Sequence, residues 1–156
     1  MTSVYASMVG DLFNASNLEF CKKCKKLGDN LILGIHKEYY DKKHTPILSL
    51  QERVDLVQGI KAVNKVIKEA PHIILPNFIK KHKINIIAIP EDIPNYICKE
   101  KYGNIKNMEN IIFKRIKTTY PLSWKIIKKR ILSPKKPQQI VKKSVINWRR
   151  IDPISD

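Results

Sequence analysis

The chain has 156 residues, 43% of them hydrophobic, which is one domain's length with enough apolar content for a single core. No uninterrupted apolar run approaches the roughly 18 residues of a membrane-spanning helix, no basic-then-apolar leader is read at the start, and an odd count of 3 cysteines argues against a disulfide framework, so a reducing, cytoplasmic setting is expected. A net charge of +16 fits an anionic partner (nucleotide, nucleic acid or membrane surface) or a lysine-rich solvated surface, and arginine, preferred for bidentate phosphate contacts, is scarce beside lysine.

Val4 to Val9 reads as a first strand that runs out into Gly10 and Asp11. Ser16 to Lys26 reads as a helix with Leu18, Cys21, Cys24 and Leu27 on one face, and Ser16 with Glu19 fits a capping box at its start. Asn30 to Ile35 is a second strand and Glu38 to Leu48 a polar loop. Ser49 with Glu52 opens a second helix by the same device, with Val54, Val57 and Ile60 or Lys61 at helical spacing. Lys65 to Lys68 is a short third strand and Pro76 to His82 a small helix. Ile84 to Ile89 is a continuous apolar run of the buried parallel-strand type, Ile111 to Phe113 a fifth strand, and Ser123 to Ile131 a last helix. Prolines and lysines then mark residues 133–156 as a basic tail outside a domain of residues 1–132.

Strands alternating with helices predict an α/β domain with a parallel sheet and right-handed crossovers. Ligands of such sheets sit beyond the carboxyl ends of the strands. Gly10 and Asp11, His36 and Lys37, and Glu91 and Asp92 are therefore expected to converge on one crevice, with the first helix's N-terminus placed to hold phosphate. Cys21 and Cys24 have metal or redox spacing but lie inside a helix with no second pair, and read as small buried residues. His36, His44, His72 and His82 show no metal spacing, so no metal site is expected.

The stretch VYASMVGDLFNASNLEF, Val4 to Phe20, resembles the signature V-Y-A-D-G-V-F-D-L-F-H-x-G-H. Val4, Tyr5, Ala6, Val9, Asp11, Leu12 and Phe13 match it, while Asn14 stands at the first histidine, Ser16 at the glycine and Asn17 at the second histidine. LGDNLILGIHKE, LSLQERVDLVQGIKAVNKVI and EAPHIILPNFIKKHKINIIAIPEDIP resemble further segments of the same family in the same order, and the likeness reaches about Leu132. The family is that of the cytidylyltransferases, nearest its choline-phosphate branch. The resemblance implies a Rossmann-like three-layer αβα nucleotidyltransferase domain. It also implies transfer of CMP from CTP, with Mg²⁺ on the nucleotide, to a phosphorylated amino alcohol such as phosphocholine or phosphoethanolamine, a step of phospholipid synthesis.

The same resemblance implies residue roles. Asn14, Asn17 and Lys43, with Lys42 as an alternative, fall where catalytic groups meet the triphosphate. Val9, Gly10, Asp11, Ser16, Arg115, Thr118, Thr119 and Ser123 fall where the nucleotide binds, with Lys117 as an alternative to Arg115. Glu91, Asp92, His72 and Asn95 fall where the acceptor's amine end is held, and Arg53 stands at a supporting arginine. Several positions depart from the family. Asparagine amides donate hydrogen bonds but neither become cationic nor shuttle protons. Ser16 crowds a backbone approach that glycine leaves open. His72 and Asn95 replace aromatics suited to a quaternary ammonium, and KRIKTTYPLSWKIIKKRI lacks the G-I-S core of the family's last motif R-T-x-G-I-S-T-S. These departures imply a divergent member with catalysis impaired or lost. The alternative is a non-catalytic regulatory member that forms a homodimer, or a heterodimer with an active homologue. A third reading gives the tail to a membrane surface or nucleic acid.

Overall fold

Ser3–Met8 forms strand β1, whose Val4, Tyr5 and Ala6 are all fully buried because helices cover both faces of the sheet. The computed structural model describes residues 1–133, so all of the predicted tail beyond Ser133 lies outside the described residues. Helix α1 spans Ala15–Lys25, β2 Asn30–Ile35, α2 Leu50–Gln58, β3 Lys65–Lys68, α3 Pro76–His82 and β4 Ile86–Pro90. Helix α4 (Asn95–Tyr102), a 3₁₀ turn (Gly103–Ile105), β5 (Ile112–Ile116) and α5 (Trp124–Leu132) follow.

The five strands are all parallel, in the order β3-β2-β1-β4-β5. The chain winds outward from β1 to β3, returns to β4 and winds out the other way, so the order reverses between β1 and β4. One face is packed by Phe20, Cys21 and Cys24 of α1 and Val54 and Val57 of α2 against Val4, Ala6, Leu31, Leu33 and Ile35. The other is packed by Ile79 of α3 and Tyr102 of α4 against Tyr5, Ile32, Ile87 and Ile89. This is the α/β, three-layer, Rossmann-like arrangement. Burial pushes the Cys21 thiol up to about 12 and raises that of Cys24 as well, as expected of inert core cysteines.

Gly34 marks the tightest approach in the sheet. A Cβ there would lie 2.5 Å from the Tyr5 hydroxyl and 2.7 Å from Ala70 Cβ, with Tyr5 itself wholly buried. Gly34→Ala is therefore expected to destabilise the fold by about 1–3 kcal/mol, read as a lowered urea midpoint at constant slope.

Two predicted strands need correction, and one helix adds to them. Strand β4 starts at Ile86 rather than Ile84, because Lys83 turns left-handed (φ 51°) to end α3 and the Ile84 amide closes on Ile79 O. Strand β5 runs on through Lys114 and Arg115, where an edge position lets polar side chains face solvent. Helix α4 has no counterpart among the predicted elements: Pro94 supplies no capping side chain, and a lysine sits on its buried face.

Candidate nucleotide crevice

A crevice of about 320 Å³ opens beyond the carboxyl ends of β1 and β4, where the strand order reverses. Its floor is Ser7 to Asp11, with Gly10 in the left-handed region (φ 71°) that lets β1 turn sharply into α1. Asn14, Ser16, Asn17 and Phe20 of the α1 start form one wall; Pro90, Asp92, Ile93, Thr118, Leu122 and Ser123 form the other. Ser16 Oγ and Thr118 Oγ1 meet across it at 3.5 Å. Tyr39 and Trp124 close the mouth with ring centroids 4.8 Å apart, and His44 packs on Trp124 at 5.2 Å.

The two asparagines are committed to the helix start. Asn14, not Ser16, is the N-cap: its side-chain Oδ1 accepts from Ser16 N at 3.0 Å, while its backbone N–H donates to Asn17 Oδ1 at 3.1 Å. The expected box of Ser16 with Glu19 does not form. Glu19 instead accepts from Thr119 N and Oγ1 and from Tyr120 N. It also pairs with Lys23 at 2.7 Å, and Lys23 together with these donors holds its carboxyl down to about 2.

Asp11, 5% exposed, accepts from Ile47 N at 2.9 Å, Leu48 N at 3.0 Å and the Tyr39 hydroxyl at 3.3 Å. It thereby pins the far end of the 37–48 loop to the end of β1. Arg53, 2% exposed, donates to Val9 O (2.6 Å), His36 O (2.7 Å), Lys37 O (2.9 Å) and Leu48 O (3.1 Å), fastening the ends of β1 and β2 together. Arg53→Ala leaves these carbonyls without partners and is expected to cost about 3 kcal/mol or more in equilibrium unfolding; Arg53→Lys restores the charge but not the fork and recovers only part.

His36 and Lys37, expected in the crevice, do not line it: Lys37 lines a separate groove, and His36 joins a buried polar cluster, missed in the sequence, on the sheet face packed by α3 and α4. Lys101 of α4 donates to Ser7 Oγ at 2.8 Å and to His36 Nε2 at 2.9 Å. His36 Nδ1 donates to Ala70 O at 2.8 Å, so its Nε2 is the acceptor of a neutral ring. Burial first, and the Lys101 cation second, hold His36 down at about 3, and burial lowers Lys101 to about 8. The only sequence signal was one lysine at helical spacing among 30 cations.

The crevice brings together Val9, Gly10, Asp11, Asn14, Ser16, Asn17, Asp92, Thr118 and Ser123 from the sequence-predicted set. The other predicted residues are placed elsewhere. Lys43 is exposed, its amide bonded to Asp41 Oδ1, and Lys42 lines a separate groove of about 390 Å³ outside the loop. Arg115 turns back to Ile93 O (2.6 Å), Glu91 O (3.2 Å) and Asn95 Oδ1 (2.7 Å), because its register beside Ile89 points it at the β4–α4 connection. Asn95 is thereby held on the same outer surface, and Glu91 stays exposed outside the crevice lining. Thr119 goes to Glu19, and His72 stacks on His36 with centroids 4.3 Å apart. Among the described residues lining the crevice there is no lysine, arginine or histidine, whereas Asp11 and Asp92 both line it.

Comparison with known proteins agrees with this architecture. The profile of the family "Cytidylyltransferase-like" matches residues 11–144. A probable ethanolamine-phosphate cytidylyltransferase of Encephalitozoon cuniculi is 28% identical over 123 residues, covering 77% of this chain and 38% of that protein. A probable choline-phosphate cytidylyltransferase of Schizosaccharomyces pombe is 33% identical over 95 residues, covering 58% of this chain and 26% of the other. The chain thus spans about a quarter to two fifths of the length of these relatives. In structure, the lipopolysaccharide core biosynthesis protein of Thermoplasma volcanium superposes with a TM-score of 0.59 at 21% identity, covering 76% of this chain and 97% of that one, a likeness of fold. The chain belongs to the cytidylyltransferase-like family.

Proposed function

We propose that this protein is a divergent cytidylyltransferase that keeps the nucleotide fold with CMP transfer impaired or lost. The observation that carries this reading is the missing positive charge. Displacement at an α-phosphorus needs donors and cations aimed at the triphosphate and the departing pyrophosphate. Here the crevice lining offers amides, hydroxyls and two carboxylates, in a chain of net charge +16. The side chains at the family's histidine positions give their Oδ1 atoms to the cap of α1 as acceptors, and the Asn14 side-chain amide donates to Leu12 O.

The substrates by family likeness would be CTP with Mg²⁺ and phosphocholine or phosphoethanolamine. The residues present do not build a resident divalent site. Among the described residues no three His, Cys, Asp or Glu side chains cluster, and both Asp11 carboxylate oxygens are taken by the 37–48 loop. Any Mg²⁺ would arrive on the nucleotide phosphates. The acceptor side likewise lacks a cage, since His72 and Asn95 face other partners. The test is CMP release from labelled CTP with either acceptor. Turnover by the native chain within about tenfold of an active relative would overturn the proposal, and a rate lower by about 10² or more is expected.

A further inference from the structure

A second groove, of about 490 Å³, shares no lining residue with the crevice and runs between α4 and β5. Its floor is apolar, formed by Ile89, Tyr102 and Phe113. Its rim carries Lys99 from α4, Lys106 from the segment after the 3₁₀ turn, and Lys114 and Arg115 from β5, and among the described residues no Asp or Glu lines it. Arg115 is held by carbonyl and amide oxygens, which orient its guanidinium and leave its charge uncompensated. Beside the groove, among the described residues β5 is the edge of the sheet and pairs only with β4. The Ile112 amide is given to Asn85 O on the β4 side, so the alternate amides of Phe113 and Arg115 face outward.

We propose that the groove and the open edge of β5 dock an acidic, extended segment of another protein, added to the five-stranded sheet as a further strand. The backbone edge supplies the hydrogen bonds; of the alternate side chains that face the groove, a central apolar one sits on the floor and flanking acidic ones meet Lys99, Lys106 and Arg115, while acidic ones facing the other way meet Lys114. The placing of the cations selects this occupant. They sit on separate elements along both walls, so one small anion reaches one or two of them, whereas several carboxylates on an extended chain reach all. A second copy of this chain is the wrong partner, because pairing β5 with itself sets Lys114, Arg115 and Lys117 against like charge.

The test is fluorescence anisotropy of the full chain with the labelled nonapeptide Glu-Val-Glu-Val-Phe-Val-Glu-Val-Glu, which sets Phe and Glu on one face. Saturable binding is expected. It should weaken about tenfold or more when salt rises from about 50 to about 300 mM, and by a similar factor in the double variant Lys106→Glu, Lys114→Glu, both at exposed positions. A central proline in the peptide should cost about tenfold as well, since it removes a ladder donor. Circular dichroism melting of the variant checks that the fold is kept. Four results would each overturn the proposal: no saturable binding; equal binding of a peptide with Lys in place of Glu; equal binding of the proline peptide; or displacement by a mixed-sequence oligonucleotide of the same charge at the same concentration. A concentration-dependent dimer in sedimentation that excludes the peptide would give the groove to a second copy and overturn it too.

Discussion

The triple variant Asn14→His, Ser16→Gly, Asn17→His is expected to transfer CMP from CTP at least about 10²-fold faster than the native chain. Both asparagines line the crevice, so imidazoles at 14 and 17 start from the same α1 N-terminus. They bring donors that can carry charge, where the native side chains serve the cap as Oδ1 acceptors. Removing the Ser16 hydroxyl opens the 3.5 Å approach to Thr118 and lets phosphate near the backbone amides. The substitutions also weaken the cap, because Asn14 Oδ1 and Asn17 Oδ1 are its acceptors. A stability loss of about 1–2 kcal/mol is therefore expected beside the gain in rate. Adding Thr118→Arg sets a cation on the facing wall and is expected to raise the rate further. The assay uses labelled CTP with phosphocholine and with phosphoethanolamine. A variant that folds yet gains nothing would show that more than these donors has been lost.

Acidification from pH 6.5 to 5 is expected to remove roughly 2 kcal/mol of stability through His36 alone. Its ring is 3% exposed and held neutral, with a folded value near 3 against an ordinary 6.5. The unfolded chain therefore binds the extra proton first. The contribution is complete above pH 6.5 and is lost as pH falls toward 3. His72 and His82 are also lowered by burial and add in the same direction. Glu19 titrates below this window, so urea unfolding between pH 6.5 and 5 isolates the histidines, and His36→Gln should flatten most of the slope. Lys101 works on the alkaline side with the opposite consequence. Its folded value near 8, against 10.5, means that its burial destabilises the protein below pH 8 and that this cost is relieved as pH climbs toward 10.5. Cys21, Cys24 and the buried tyrosines oppose this above about pH 9, so the comparison is made against Lys101→Met. The native chain should gain relative to that variant between pH 7 and 9. An unchanged difference would contradict the burial of Lys101.

The sheet was legible because each strand carries its own signal. β2 and β3 fall on their predicted bounds, and Ser49 with Glu52 forms the capping box that the sequence displays, with bonds of 2.7 and 3.2 Å. The start of α1 was misread because Ser16 with Glu19 and Asn14 with Asn17 have the same spacing. The choice fell to a contact 100 residues away, where Thr119 and Tyr120 claim Glu19. The crevice was legible where it rests on chain-local geometry, from Val9 to Asn17 at the end of β1. It was not legible where side-chain direction depends on tertiary partners. Lys43 leaves because Asp11 captures the amides of Ile47 and Leu48 and fixes the loop around it. Arg115 leaves because strand register, which single-residue patterns do not carry, turns it to the β4–α4 connection.

Calorimetric titration of the native chain with CTP and with cytidine, in the presence of Mg²⁺, tests the central claim most directly. A crevice lined, among the described residues, by two carboxylates and no cation gains little from a triphosphate, so the two ligands should bind within about tenfold of each other, with weak dependence on salt. CTP binding more than about 10²-fold tighter than cytidine, and falling steeply with salt, would place cations on the phosphates and contradict the account.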